Sequence, residues 1–242
     1  MKRSLFFALA LLMASGVSLE SFGQATPAVP VRGPGLHIEN LRMEVGVLRY
    51  VISVPTDYSS SKPVPLILAL HYGGSSNGAA QGLMLNLVQP ALAAVGALII
   101  APESMGGAWS AANNERAVNT LVDAVLASYA IDTKRMAVTG FSMGGSGTWS
   151  VVAKNPERFS AAVPVAGMPP ASMGAWKTPV FAVHSRDDEV MPIGPTEARI
   201  KELQKSGVRA DLVVLSGISH HQTNRFVDGL RRAVPWLTQI WQ

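Results

Sequence analysis

The sequence predicts an α/β protein: a mostly parallel, twisted sheet with helices on both faces. Three observations predict it. Short β-rich apolar runs alternate with helical patterns from residue 47 to the C-terminus. Several runs are apolar throughout rather than at every second residue, the pattern of strands covered on both faces. The intervals between runs suit crossover helices, and none is long enough for a separate cap domain.

The elements follow in order. The run VLRYVISV at residues 47–54 opens the series, and the sheet is expected to begin with a strand or two joined antiparallel at its edge. VPLILAL at 64–70 comes next, followed by a helical pattern over 79–95 and the run ALIIA at 97–101. Residues 115–129 place Val118, Leu121, Val122, Val125 and Leu126 on one stripe, the period of an amphipathic helix. The run at 135–140 then leads into a helical segment at 145–155. Runs at 160–167, 179–185 and 210–216, with helical patterns at 195–206 and 224–241, complete the alternation. A site on such a sheet is expected to be open.

The first 25 residues stand apart. Lys2 and Arg3 make a positive start, Leu5 to Met13 is an almost unbroken apolar stretch, and Gly23 and Ala25 supply small residues for a cleavage site. A membrane span needs about 20 apolar residues, and this stretch is shorter. Residues 1–25 are therefore expected to be a secretory signal peptide and residues 26–242 a single domain without a stable membrane span. The chain has no cysteine, so its stability after export rests on core packing and not on disulfides. The formal charge of +4 is scattered along the chain. A nucleic-acid surface needs a clustered basic stripe, and none is present.

The stretch TGFSMGGS, residues 139–146, is the candidate centre. Ser142 follows an apolar run and precedes a helical segment, the setting of a nucleophile elbow rather than of an ordinary glycine-rich loop. Side chains two residues before and two after such a serine would collide, and Gly140 and Gly144 hold those positions. Gly145 is expected to ease the start of the helix. The turn leaves the Met143 N–H facing the place where an oxyanion forms.

A nucleophilic serine needs a base, and the base needs an orienting acid. In the chain order Ser, Asp or Glu, His, the base follows the last core strand. His220 and His221 of SGISHHQT stand there, and His220 is preferred. The acid follows the penultimate strand, where FAVHSRDDEVMP offers Asp187, Asp188 and Glu189; Asp188 is preferred and Asp187 is its rival. A second oxyanion donor is expected in LALHYGGSS, from the Gly73 N–H or alternatively from Tyr72. Tyr72, Trp109, Met168 and Trp176 are candidate walls of a substrate site.

These residues resemble the α/β-hydrolase superfamily. More narrowly, the chain is similar to bacterial secreted esterases related to poly(3-hydroxybutyrate) depolymerases, feruloyl and acetylxylan esterases, and phospholipase/carboxylesterases. The resemblance runs from about residue 64 to the C-terminus and rests on LALHYGG, YAIDTKRMAVTGFSMGGSG, HSRDDEVMP and GISHH. The family pattern His-Gly-x-x-Asp-x-x-x-Pro aligns with His184, Asp188 and Pro192 and favours Asp188. Its Gly-x-Gly-His aligns with Gly217 and His220. Tyr72, Ser185 and Ser219 stand where the family usually has glycine, and the resemblance gives Asp132 and Arg135 a structural role.

The resemblance implies the α/β-hydrolase fold and a serine esterase of the bacterial periplasm or exterior, acting on a small-molecule or polymer-derived ester through an acyl-enzyme. No metal or organic cofactor is implied, since the sequence holds no HExxH, no ligand cluster and no GxGxxG. The same triad suits a peptidase or amidase. A non-catalytic carbohydrate- or lipid-binding protein of this fold is the reading from another class.

Overall fold

The computed structural model describes residues 28–242 apart from Val45, Ser75 and Ser76. The expected signal peptide lies outside the described residues. The strands are β1 (Gly35–Met43), β2 (Gly46–Val54), β3 (Val64–Leu70), β4 (Leu98–Pro102), β5 (Ile131–Phe141), β6 (Ala161–Val165), β7 (Val180–Ser185) and β8 (Ala210–Leu215). They form one sheet in the order β1-β2-β4-β3-β5-β6-β7-β8. β2 runs antiparallel to both β1 and β4, and every other neighbouring pair is parallel. The mostly parallel sheet with an antiparallel edge is the one expected. β1 was not, because GLHIENLRM mixes His37, Glu39, Asn40 and Arg42 into an edge strand that is largely open to solvent.

Both faces are covered. Leu66, Leu68 and Leu70 of β3 pack with Val118 and Leu121 of α3 (Ala112–Ser128), Trp149 of α4 (Met143–Lys154) and Ile200 of α5 (Gly194–Lys205). The alternate residues Ile67 and Ala69 face the other way, onto Leu83, Leu87, Leu230 and Leu237. Successive strand side chains point to opposite faces, so one apolar run serves two cores. Among the described residues no helix is long and apolar enough to cross a membrane.

Two expected helices are broken, each at a proline. The pattern over 79–95 resolves into α1 (Ala79–Leu83), a π-helical turn (Met84–Val88), α2 (Gln89–Leu92) and a 3₁₀ turn (Ala93–Val95). Pro90 has no N–H for the carbonyl four residues back and its ring crowds that carbonyl, which the wider π turn relieves. The last helix divides into a 3₁₀ turn (Thr223–Phe226), α6 (Val227–Arg231) and α7 (Ala233–Ile240). Pro235 withholds the N–H that would have bonded to Arg231. The crossover from β6 to β7, residues 166–179, contains no helix.

Candidate active site

Ser142 is the single residue between β5 and α4, and its backbone is the key to the site. It sits at φ 58 and ψ −117, a conformation that costs a non-glycine residue about 1–3 kcal/mol and needs its surroundings to hold it. They do. The Ser142 N–H donates to the Val165 carbonyl at 3.0 Å, and the Ser142 carbonyl accepts the Ser146 N–H at 2.9 Å. A Cβ on Gly140 would overlap the Gly144 carbonyl, and one on Gly144 would overlap the Leu70 carbonyl. Gly145 does more than start the helix: a Cβ there would strike the Val165 carbonyl at the end of β6, and the backbone of Gly167 presses on it from the loop that follows. The elbow is therefore wedged between the ends of β3 and β6.

The loops after β7 and β8 meet over this serine. His220 Nε2 lies 2.7 Å from Ser142 Oγ, and His220 Nδ1 lies 2.8 Å from Asp188 Oδ2. A carboxylate only accepts, so Nδ1 carries the proton and the Nε2 lone pair receives the serine hydroxyl. All three side chains are buried, and the imidazole lies 5.2 Å from the Phe141 ring, tilted by 32°. The second Asp188 oxygen accepts the N–H groups of Val190 at 3.0 Å and Met191 at 2.7 Å. That fixes the carboxylate plane.

Asp187 and His221, the rivals in sequence, are engaged elsewhere. Asp187 Oδ2 accepts the Gly217 N–H at 2.6 Å, tying the two loops at their bases. The His221 side chain is 78% exposed, with its ring 4.0 Å from a Glu189 oxygen. Among the described residues the exposed ring is engaged only with Glu189 and the edge of the His220 ring. An exposed ion pair is worth at most about a fivefold change, so His221→Ala is expected to keep kcat for an ester within about fivefold of the unmodified chain. Steady-state assays of the variant check this.

Sequence reasoning passed over further ties between these loops. Ser185 Oγ donates to the Ile218 carbonyl at 2.6 Å and accepts the Asp187 N–H at 3.2 Å. Glu189 Oε2 accepts the His220 N–H at 3.1 Å. Its own N–H and that of His220 hold the Glu189 carboxyl below the usual range. Buried His184 donates from Nε2 to the Met191 carbonyl at 2.7 Å, and burial pushes its pKa down. The available signal was positional: a polar residue closing an apolar run, as Ser185 does.

Directly after Ser142, Met143 opens α4, so its N–H has no partner within the helix. Gly73 lies beside it: a Cβ on Gly73 would stand 3.8 Å from Cβ and Sδ of Met143. Tyr72 is half-buried and its hydroxyl crowds Gly82 of α1. Met168, at the carboxyl end of β6, is also half-buried and donates its N–H to Ser146 Oγ at 3.0 Å.

The two tryptophans expected as walls are packing residues. Trp109 is 1% exposed and donates Nε1–H to the His71 carbonyl at 2.9 Å. Its ring fills the space a side chain on Gly147 would need. Trp176 lies where the 166–179 crossover has reached the amino end of β7, the sheet edge away from Ser142. There its ring is 5.4 Å from that of Trp149. Both are consumed by the core because each indole N–H finds a backbone carbonyl inside it. Asp132 and Arg135 pair at 2.6 Å, and Arg135 also donates to the Pro63 carbonyl at 3.1 Å, securing the start of β5.

Known proteins resemble this chain in sequence and in fold. A probable feruloyl esterase C from Aspergillus terreus is 29% identical over 174 residues, covering 66% of this chain and 63% of that protein. A solved thermostable esterase superposes with a TM-score of 0.71 at 22% identity, over 84% of this chain and 62% of that one. An α/β serine hydrolase without lid from Xanthomonas campestris matches with a TM-score of 0.65 at 18% identity, over 88% and 98% of the two chains. This chain thus spans less than two thirds of the first two proteins, and the structural matches show a shared α/β-hydrolase fold. Residues 96–229, more than half of the sequence and including Ser142, Asp188 and His220, match the family model, and the chain belongs to the dienelactone hydrolase family.

Proposed function

We propose that the chain is a serine esterase that cleaves carboxylic esters through an acyl-enzyme on Ser142. The observation that carries this reading is the hydrogen-bonded line from Ser142 Oγ through His220 to Asp188, at 2.7 and 2.8 Å, built on a strained serine. His220 Nε2 takes the hydroxyl proton as Oγ attacks the ester carbonyl, and Asp188 holds the tautomer and stabilises the imidazolium. The N–H groups of Met143 and Gly73 receive the oxyanion, each donor contributing about 3–4 kcal/mol to the transition state. His220 returns the proton to the leaving alcohol, then activates the water that hydrolyses the acyl-enzyme.

The feruloyl esterase relatives support an ester, small or polymer-derived, as the substrate. Tyr72 and Met168, in the loops that follow β3 and β6, are proposed as substrate contacts. The first 25 residues are proposed to direct export. The test is direct: the purified protein is assayed on short p-nitrophenyl esters and treated with a fluorophosphonate, the adduct being mapped by mass spectrometry. Turnover with labelling at Ser142 supports the reading. A folded protein that neither turns over an ester nor labels at Ser142 overturns it.

A further inference from the structure

Buried His71, at the carboxyl end of β3, is outside the Ser142–His220–Asp188 line yet is fully committed in its hydrogen bonds. The Ser104 N–H donates to its Nε2 at 2.9 Å, so Nε2 presents a lone pair. Its Nδ1 lies 2.6 Å from the Tyr72 carbonyl, which can only accept, so Nδ1 carries the proton. Burial pushes the pKa of His71 down, which favours this neutral form. Its own carbonyl takes the Trp109 indole N–H. The ring therefore cannot flip or turn without losing a bond at each end.

We propose that His71 is a positioning residue that aims the Gly73 N–H at the oxyanion. This rests on the esterase reading. In a trans peptide the carbonyl and the following N–H point to opposite sides of the chain. Holding the Tyr72 carbonyl on the His71 ring thus turns the Gly73 N–H away from that ring, and Gly73 lies against Met143, whose N–H is the other donor. The far end of the same loop is held as well. Glu103 Oε1 accepts the N–H groups of Gly78 at 3.0 Å and Ala80 at 3.3 Å, and its other oxygen stands 3.6 Å from His71 Nε2. His71 and Glu103 are the residues directly after β3 and β4, so the two ends of the loop are held where adjacent parallel strands end. A preorganised donor needs such fixing, since an oxyanion contact gains from geometry set before the reaction.

Two substitutions separate the two ring nitrogens. In His71→Asn the amide nitrogen replaces Nδ1 as donor to Tyr72 and the acceptor for Ser104 is lost. In His71→Gln the amide oxygen replaces Nε2 and the donor to Tyr72 is lost. Removing an oxyanion donor costs about 10²–10³ in kcat, so misdirecting one is expected to cost His71→Gln roughly tenfold or more on a p-nitrophenyl ester, with KM little changed. His71→Asn is expected to recover most of that loss. Affinity for a trifluoromethyl ketone, which forms a tetrahedral adduct, is expected to follow kcat and not KM. Equal losses in both variants that track their melting temperatures would mean a structural role only and would overturn the proposal.

Should His71→Gln not fold, two readouts remain decisive. His71→Asn must keep kcat within about tenfold of the unmodified enzyme, less than the loss of a whole donor. In the unmodified chain, the Gly73 amide proton must move downfield together with that of Met143 on phosphonylation of Ser142. Failure of either overturns the role. An unmodified chain with no ester turnover sinks both this role and the esterase reading, whereas an active chain indifferent to His71→Gln sinks only the role.

Discussion

Alanine at position 142 is expected to abolish ester hydrolysis, with kcat lower by about 10⁴–10⁶-fold, as when the nucleophile of a triad is removed. A residual rate is expected from the proposed oxyanion donors and from binding contacts that do not involve the hydroxyl. KM is expected to change little, because Oγ contributes to the covalent step and not to holding the substrate. Alanine meets the same backbone strain as serine at φ 58, so the fold is expected to persist. The checks are turnover of p-nitrophenyl acetate, loss of fluorophosphonate labelling, and a thermal melt. A folded Ser142→Ala protein that retains a tenth of the activity would remove Ser142 from the mechanism.

Alanine at position 144 is expected to destroy the fold around the elbow. Its Cβ would overlap the Leu70 carbonyl and stand 2.8 Å from the His71 carbonyl, both of them backbone atoms. Leu70 closes a strand whose seven residues are all buried, so no side chain can swing aside. The elbow cannot retreat either, because Gly145 is pressed onto β6 from behind. Destabilisation of more than about 4–5 kcal/mol is expected, the range reached only by such severe mechanisms. Gly33→Ala is the control: Gly33 is exposed and outside any helix, and a Cβ there meets nothing within 4 Å, so the change is expected to stay within about 0.5 kcal/mol. Chemical denaturation of the two variants compares them. A Gly144→Ala protein as stable as the control would refute the close packing of β3 on the elbow.

Much of this architecture was legible before any coordinates. Buried strands such as β3 show as unbroken apolar runs, and the order of Ser142, Asp188 and His220 along the chain matches the order in which their strands end. The polar edge strand β1 was not legible, because both of its faces are partly open to solvent, which removes the apolar alternation that marks a half-buried strand. Pro90 and Pro235 were visible as helix breakers, but how the chain relieves each depends on what it packs against. Trp109 and Trp176 show the limit most clearly. Composition cannot distinguish an indole in a substrate wall from one whose N–H is satisfied inside the core.

What the sequence by itself determined is what nearest-neighbour sterics control: the alternation of elements, and the glycines at 140 and 144 that permit a strained turn at Ser142. What only the tertiary structure decided is which atoms meet. Ser142 and His220 are 78 residues apart and Asp188 and His220 are 32 apart, and no local rule specifies a contact at such separations. Asp187 and Asp188 are neighbours with the same chemistry, yet one braces Gly217 and the other accepts the hydrogen bond of the His220 Nδ1–H. The choice between them, like the second task of Gly145 and the Ser104 N–H that fixes the His71 ring, is made where separate strands end side by side.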